Sequence, residues 1–129
     1  MNTFNQRYPI GQFTKAATIT KKILSEWMSI IQTFPADLAN EVAGLSDQQL
    51  DTPYREDGWT LRQVVHHCAD SHMNALCRIK LAITEQKPII KPYDEAHWAE
   101  LTDSKTIPLD TSLAILKGLH QGWTILLNS

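Results

Sequence analysis

Hydrophobic and polar positions between residues 58 and 86 alternate with the period of an α-helix. Apolar side chains recur at three- and four-residue steps, which places them along one stripe of a helix. No glycine or proline lies between Gly58 and Pro88, so the predicted helix runs to about residues 84–86. A second face of smaller residues adjoins the stripe, which is typical of a helix at the centre of a bundle. The stripe consists of Leu61, Val65, Cys68, His72, Leu76, Ile79 and Ile83.

The start of this helix is marked by a capping box. The hydroxyl of Thr60 can accept a hydrogen bond from the backbone of Gln63, whose side chain can return one to the backbone of Thr60. Ser46 and Gln49 have the same spacing and predict a second, short helical turn over residues 47–50. Both helix starts are therefore predicted from local side-chain chemistry.

The N-terminal third is predicted to form an extended arm followed by two helices. Residues up to about 17 lack a helical period, and the segment from Tyr8 to Gly11 predicts a turn. The helical period begins at Ile19 and continues to Phe34. Pro35 interrupts it and is predicted to begin a following helix that runs through residue 43.

The C-terminal part is predicted to contain one short helix and one long helix. Residues 94–101 have the composition of a short helix, residues 102–107 that of a loop, and Pro108 begins a long amphipathic helix. Three long segments with short connectors and no convincing strand predict an all-α, up-and-down antiparallel bundle. The usual bundle has four helices, so we expect one side of the core to be open. We expect residues 1–129 to form a single, incomplete domain.

Composition and charge narrow the function classes. The formal net charge is −2 and the basic residues are scattered, so we expect no nucleic-acid partner. No apolar run approaches the roughly 18 residues that span a bilayer, and no signal-peptide h-region follows residues 1–7. We therefore expect no membrane partner and a cytoplasmic location. Cys68 and Cys77 are about 13 Å apart along one predicted helix, which is too far for a disulfide, and are expected to be reduced, buried thiols.

Candidate metal chemistry centres on the histidines of the long helix, because imidazole is a good ligand for zinc and nickel. His66 and His67 point about 100° apart on a helix, so both cannot face one metal ion. Ser71 follows His67 by one turn and can line the same pocket. Asp70 either accepts a hydrogen bond from a histidine, or is a solvated charge on the helix or a partner of the connecting loop. His72 lies on the apolar stripe, which favours a hydrogen-bonded core histidine over a ligand.

The two remaining histidines are weaker candidates. His97 lies in a predicted connector and His120 on the last predicted helix. Each is expected to be a surface or core residue and not a ligand. The sequence has no His-Glu-x-x-His signature of zinc proteases.

Several segments together resemble one protein family. Residues 51–55 read DTPYR and residues 58–74 read GWTLRQVVHHCADSHMN, which is similar to the YfiT-like branch of the DinB superfamily. Residues 8–11, 80–85 and 90–101 resemble the same branch, so the resemblance covers nearly the whole chain. It implies a cytoplasmic four-helix bundle that is often a homodimer.

The resemblance also implies a metal-dependent hydrolase that acts on a small-molecule substrate. In such proteins three histidines hold a zinc- or nickel-type divalent ion, one from the second long helix and two from the last. The first corresponds to His67, and Asp70 and Ser71 are candidates for residues that support this ligand without binding the metal themselves. Nothing after His120 resembles the paired-histidine motif. Two of the three expected ligands and the last helix are therefore missing from this sequence, and enzyme activity stays open.

Three functional hypotheses follow from the residues and the resemblance. The first is a hydrolase in which a metal-activated water is the nucleophile. The second is an S-transferase for a low-molecular-weight thiol, because related members transfer bacillithiol. The third is a metal-free helical module that acts by association, since an exposed apolar face invites a partner.

Overall fold

The structure, a computed structural model, describes residues 5–129, which form six helices. The prediction of an all-α fold is confirmed, because the described residues contain no strand and only an isolated antiparallel bridge between Pro53 and Thr60. The first four residues of the predicted N-terminal arm, which also begin the segment considered for a signal peptide, lie outside the described residues. In chain order the helices are α1 (Lys21–Val42), α2 (Asp47–Leu50), α3 (Leu61–Thr84), α4 (Glu95–Ala99), α5 (Thr102–Thr106) and α6 (Leu109–Leu127).

Both predicted capping boxes are present. At the start of α3, the hydroxyl of Thr60 accepts from the backbone N–H of Gln63 at 3.2 Å, and Gln63 Oε1 accepts from the backbone N–H of Thr60 at 2.9 Å. Ser46 and Gln49 form the same pair at the start of α2. These bonds satisfy backbone donors that a helix start otherwise leaves unpaired.

The prediction that Pro35 begins a new helix is wrong, because α1 continues through it to Val42. A proline within a helix has no N–H to donate to the carbonyl four residues earlier, which here belongs to Ile31. His120 of α6 takes the place of that donor, with its Nδ1 at 2.5 Å from the Ile31 oxygen. A contact from a distant helix thus satisfies the carbonyl that the proline leaves free.

Two further expectations need correction. Residues 102–107 are not a loop, since α5 spans Thr102–Thr106 and buries Ser104. Its N-cap, Leu101, makes no side-chain capping hydrogen bond, so the sequence lacked a start signal there.

Cys68 and Cys77 are free thiols as expected, but Cys77 is exposed. The buried residues of α3 all lie between Arg62 and Ala69, and the second half of the helix is less covered.

The three long helices lie side by side, with α6 between α1 and α3. Within residues 5–129 the backbone of α1 packs against α6 alone, and α3 packs against α6 and the short helices. The core cluster is formed by Leu50, Val65 and Leu109, where α2, α3 and the start of α6 meet. No residue of α1 is buried, and Ile30 on that helix is 62% exposed. No helix among the described residues is long and apolar enough to cross a membrane.

Candidate metal centre

His67 lies on the first half of α3 and is half-buried. Its ring packs at a tilt against the indole of Trp59, with the ring centroids 4.7 Å apart. Neither ring nitrogen of His67 has a hydrogen-bond partner within residues 5–129, whereas each of the other four histidines has at least one. The lone pair of this imidazole is therefore available to an external ligand.

Burial favours the neutral form of His67. Burial lowers the pKa of its imidazole, while the nearby carboxylates of Asp70 and Glu95 act in the opposite direction. A neutral imidazole is the form that coordinates a metal ion. The two carboxylates supply negative charge that favours a cation beside the ring.

Asp70 and Ser71 are both half-buried beside His67 on α3. Burial is the main cause of the raised pKa of Asp70, and repulsion from Asp103 adds to it. No hydrogen bond joins the Asp70 carboxylate or the Ser71 hydroxyl to His67 in the described part of the chain. The charge of Asp70 acts on His67, and a role of Asp70 and Ser71 in supporting a metal-binding His67 stays a prediction.

His66 serves the packing between α3 and the start of α6. Its Nε2 donates to the Ile107 carbonyl at 3.2 Å, and its Nδ1 lies 2.7 Å from the Ser112 hydroxyl. Because the carbonyl can only accept, the Nδ1 of the neutral ring accepts the hydroxyl proton. Burial is the main cause of its lowered pKa. Both ring nitrogens are used within the fold.

His72 and His120 form a direct pair across α3 and α6. Nδ1 of His72 lies 2.7 Å from Nε2 of His120, which is buried. His72 was expected to be a hydrogen-bonded core histidine, and this hydrogen bond agrees with that expectation. His120, expected to be a surface or core residue, is in the core. The sequence did not reveal that the two bind each other. The one local signal was Pro35, which leaves the Ile31 carbonyl in need of a donor.

His97 is a surface residue, as expected. Its side chain is 85% exposed and pairs with Asp94, the N-cap residue of α4. That pairing raises the pKa of His97 and lowers the pKa of Asp94.

Arg62 is a buried cation that the sequence reasoning missed. Its guanidinium contacts Asp47 and Asp51 at 2.7 Å each and donates to the Ile107 carbonyl at 3.2 Å. Its side chain is only 7% exposed, while both carboxylates face solvent. Arg62 thereby ties α2 and the C-cap residue of α5 to the first turn of α3, the segment that precedes His67.

The described residues do not form a complete metal site. Within residues 5–129 no group of three or more histidine, cysteine, aspartate or glutamate side chains could hold a metal ion. Each of the other four histidines binds a partner through at least one ring nitrogen, whereas both ring nitrogens of His67 lack one within residues 5–129. A groove of about 940 Å³ between α1 and α6 includes His120 in its lining but not His67.

Comparison with known proteins agrees with this fold. The sequence profile of the DinB superfamily matches residues 30–129. The chain belongs to the DinB superfamily. Over 129 residues it is 50% identical to the "Putative metal-dependent hydrolase YfiT" of Bacillus subtilis. The alignment covers 100% of this chain and 72% of that protein.

Two further matches extend the comparison. A protein of the same description from Bacillus mycoides is 56% identical over 123 residues, covering 95% of this chain and 70% of that one. The solved structure of Bacillus subtilis YfiT, described as having an unusual four-helix bundle topology, matches with a TM-score of 0.93 and 51% identity. That match covers 96% of this chain and 71% of the YfiT chain. The resemblance to the YfiT-like branch of the DinB superfamily is confirmed, as is its fold.

Proposed function

We propose that this DinB superfamily chain is a metal-dependent hydrolase and that His67 supplies one ligand of its metal ion. The observation that carries the proposal is the unused imidazole of His67, the one histidine of five whose ring nitrogens bind no other described residue. The description shared by the relatives supports metal dependence at the level of the family.

The local structure supports His67 as a ligand. Trp59 packs against the ring and limits its rotation. The adjacent charges of Asp70 and Glu95 attract a cation, and burial keeps the imidazole unprotonated. An imidazole that is oriented before metal binding loses less conformational entropy when the ion binds.

The other ligands in this proposal come from outside the described residues. The family resemblance implies two further histidines on a last helix, and this chain spans 70–72% of the relatives' length. A second copy or a further segment of polypeptide would complete the coordination. We propose zinc or nickel as the ion, because both accept several imidazole ligands.

The assembly and setting are also proposals. Trp27 and Ile30 on α1 are 39% and 62% exposed, which leaves apolar surface available to a partner. We propose a homodimer that acts on a small-molecule substrate in the cytoplasm. Light scattering on the purified chain would measure the oligomeric state.

The first test is metal content, measured by mass spectrometry after equilibration with zinc or nickel. We expect a divalent ion near one per chain in the unaltered protein and at least tenfold less in His67→Ala. The matched control is His97→Ala, which removes an exposed histidine and should leave metal content unchanged. Equal metal content in His67→Ala and the unaltered chain would rule out His67 as a ligand.

Metal content, taken together with self-association and substrate turnover, separates the other hypotheses. A chain that binds no ion in either form, yet still self-associates, would favour the metal-free association module. A loaded chain that consumes its substrate only when a low-molecular-weight thiol is present would favour the S-transferase. A loaded chain that releases product without thiol supports the hydrolase.

A further inference from the structure

One face of α3 carries a row of polar side chains that begins at His67 and ends at Arg78. Ser71, Asn74 and Arg78 follow His67 by four, seven and eleven residues, which returns each to within about 40° of the same direction on a helix. All four residues are half-buried. At a rise of about 1.5 Å per residue, the row extends about 16 Å along α3. The unused imidazole and the guanidinium are therefore the two ends of one polar row.

The segment of residues 91–99 runs along this row in the direction opposite to α3. Near the start of α3, the Ala99 carbonyl accepts a hydrogen bond from Nε2 of Gln63 at 2.7 Å. Further along, the Lys91 carbonyl accepts from Nη2 of Arg78 at 3.4 Å. Helix α4, which lies within the segment, packs against α3. The segment therefore borders the polar row along most of its length.

Arg78 is a half-buried cation that pairs with no carboxylate of residues 5–129. Its Nε is buried and has no hydrogen-bond partner there. Arg62, on the same helix, is different, because its guanidinium contacts the carboxylates of Asp47 and Asp51 at 2.7 Å each. Burial takes part of the Arg78 guanidinium out of water without supplying an anion. Binding of a carboxylate is therefore more favourable at Arg78 than at a fully hydrated arginine.

The terminal edge of the Arg78 guanidinium is open to a ligand. Nη2 makes only the long hydrogen bond to the Lys91 carbonyl, and Nη1 makes none within the part of the chain that the structure describes. Nη1 is also not among the buried atoms. The N–H groups of these two nitrogens form a planar fork that matches the two oxygens of a carboxylate.

The two ends of the polar row differ in charge. The carboxylates of Asp70 and Glu95 act on His67, so this end favours a metal cation. Residues 78–91 contain four basic side chains and one acidic side chain, so the other end favours an anion. The basic residues are Arg78, Lys80, Lys87 and Lys91.

We propose that Arg78 is a specificity-determining residue that binds a carboxylate of the substrate, at the opposite end of the polar row from His67. This role rests on the proposed metal-dependent function, because the reacting end of the substrate would lie at the ion bound by His67. Long side chains lean towards the N-terminus of their helix, so Arg78 reaches back towards His67. The substrate class is then a small molecule whose carboxylate lies about 10–16 Å from its reacting bond.

Binding of suberate, a linear eight-carbon dicarboxylate, to the metal-free 129-residue chain tests Arg78 without any need for activity. Amide resonances of residues 74–81 in nitrogen–proton NMR spectra, recorded at constant ionic strength, report the binding. We expect saturable shifts in the unaltered chain and a Kd about tenfold higher in Arg78→Gln, because a charge-assisted pair is lost. The uncharged 1,8-octanediol, a chain of equal length, should cause no shift in this segment.

Two variants separate the fork of Arg78 from general positive charge. Lys80→Gln removes the same charge at an exposed position two residues away and should raise the Kd by less than about twofold. Arg78→Lys keeps the charge and loses the planar fork, so its Kd should lie between those of the unaltered chain and Arg78→Gln. It also provides the comparison if Arg78→Gln does not fold. Equal weakening by Lys80→Gln and Arg78→Gln, or no weakening by either variant of Arg78, would overturn the proposal.

The zinc-loaded chain distinguishes a failure of this proposal from a failure of the metal centre. If suberate spans from the ion to Arg78, it should bind the loaded chain more tightly than the metal-free chain, and either His67→Ala or Arg78→Gln should remove the gain. Zinc bound through His67 with suberate binding that ignores Arg78 would overturn the role of Arg78 alone. Suberate binding that needs Arg78 in a chain that takes up no zinc would support the carboxylate site and contradict the metal centre.

A carboxylate from a second copy of the chain is the alternative partner of Arg78. In that case Arg78→Gln would convert a dimer to monomers in light-scattering measurements, and suberate would not bind the unaltered chain. This pair of results would assign the guanidinium to an interface and overturn its role in substrate binding.

Discussion

The five histidines show how contacts, and not residue type, assign a role to a side chain. His66, His72 and His120 bind partners inside the fold, and His97 binds the N-cap residue of α4. His67 sits on the same helix as two of them but faces an aromatic ring. Its neighbours leave its nitrogens free, and this difference makes it the candidate ligand.

Arg62 is a second residue whose contacts can be tested. Replacing it with alanine removes four hydrogen bonds and the packing of its buried stem, while the exposed carboxylates of Asp47 and Asp51 return to water. We expect Arg62→Ala to lower the free energy of unfolding by about 2–3 kcal/mol in urea titrations. Lys80→Ala, at an exposed site of the same helix, should change it by less than about 0.5 kcal/mol. Equal effects of the two substitutions would contradict a structural role for the buried guanidinium.

At the scale of elements, local side-chain chemistry determines where α2 and α3 begin. The two capping boxes differ in what else they bind. Gln63 is buried and also donates from Nε2 to the Ala99 carbonyl at 2.7 Å, which attaches α4 to α3. Gln49 is exposed and binds Ser46 alone among its side-chain partners in the described residues. The same motif therefore has a local function in one place and a tertiary one in the other.

This difference predicts unequal costs for the same substitution. Gln49→Ala should destabilise the chain by about 0.5–1 kcal/mol, because it removes the side-chain half of the capping box and leaves the Ser46 cap in place. Gln63→Ala should cost about 2–3 kcal/mol, because it also leaves the Ala99 carbonyl without its buried donor. Thermal and urea unfolding of the two variants measure the comparison. If Gln63→Ala were no more costly than Gln49→Ala, the link between α3 and α4 would contribute nothing to stability.

The features that the sequence predicted are the ones that adjacent residues determine. The capping boxes predicted where α2 and α3 begin, and a stretch without proline or glycine predicted the length of α3. These signals lie within a few residues of the features that they determine. Pro35 lies within α1, and the Ile31 carbonyl that it leaves free binds His120, which is 89 residues from Ile31 in the chain. The start of α5 lacks a capping side chain and depends on packing. The pairing of His72 with His120 could not be predicted either, since it requires the relative placement of α3 and α6.

At the scale of the whole molecule, the packing of histidines makes stability depend on pH. Burial lowers the pKa of His66, and the pKa of His72 falls to about 4. The unfolded chain binds protons at these sites near their ordinary value of 6.5, so it takes up more protons than the folded chain below that pH. The contribution of these two histidines to stability is therefore fully present above pH 6.5 and falls as the solution is acidified towards their folded pKa values.

The histidines and the carboxylates change the free energy of unfolding in different pH ranges, so their contributions can be measured separately. The pKa of Asp51 lies below its ordinary value of 3.8 because Arg62 binds it. The contribution of this carboxylate to stability is therefore unchanged between pH 7 and pH 5 and is lost only at more acidic pH. In metal-free protein, we expect the free energy of unfolding to fall by about 2 kcal/mol between pH 7 and pH 5 from His72 alone. Urea titrations at several pH values measure the slope, which His72→Gln should reduce. A free energy that stays constant or rises over this interval would show that His72 is not held neutral by the fold.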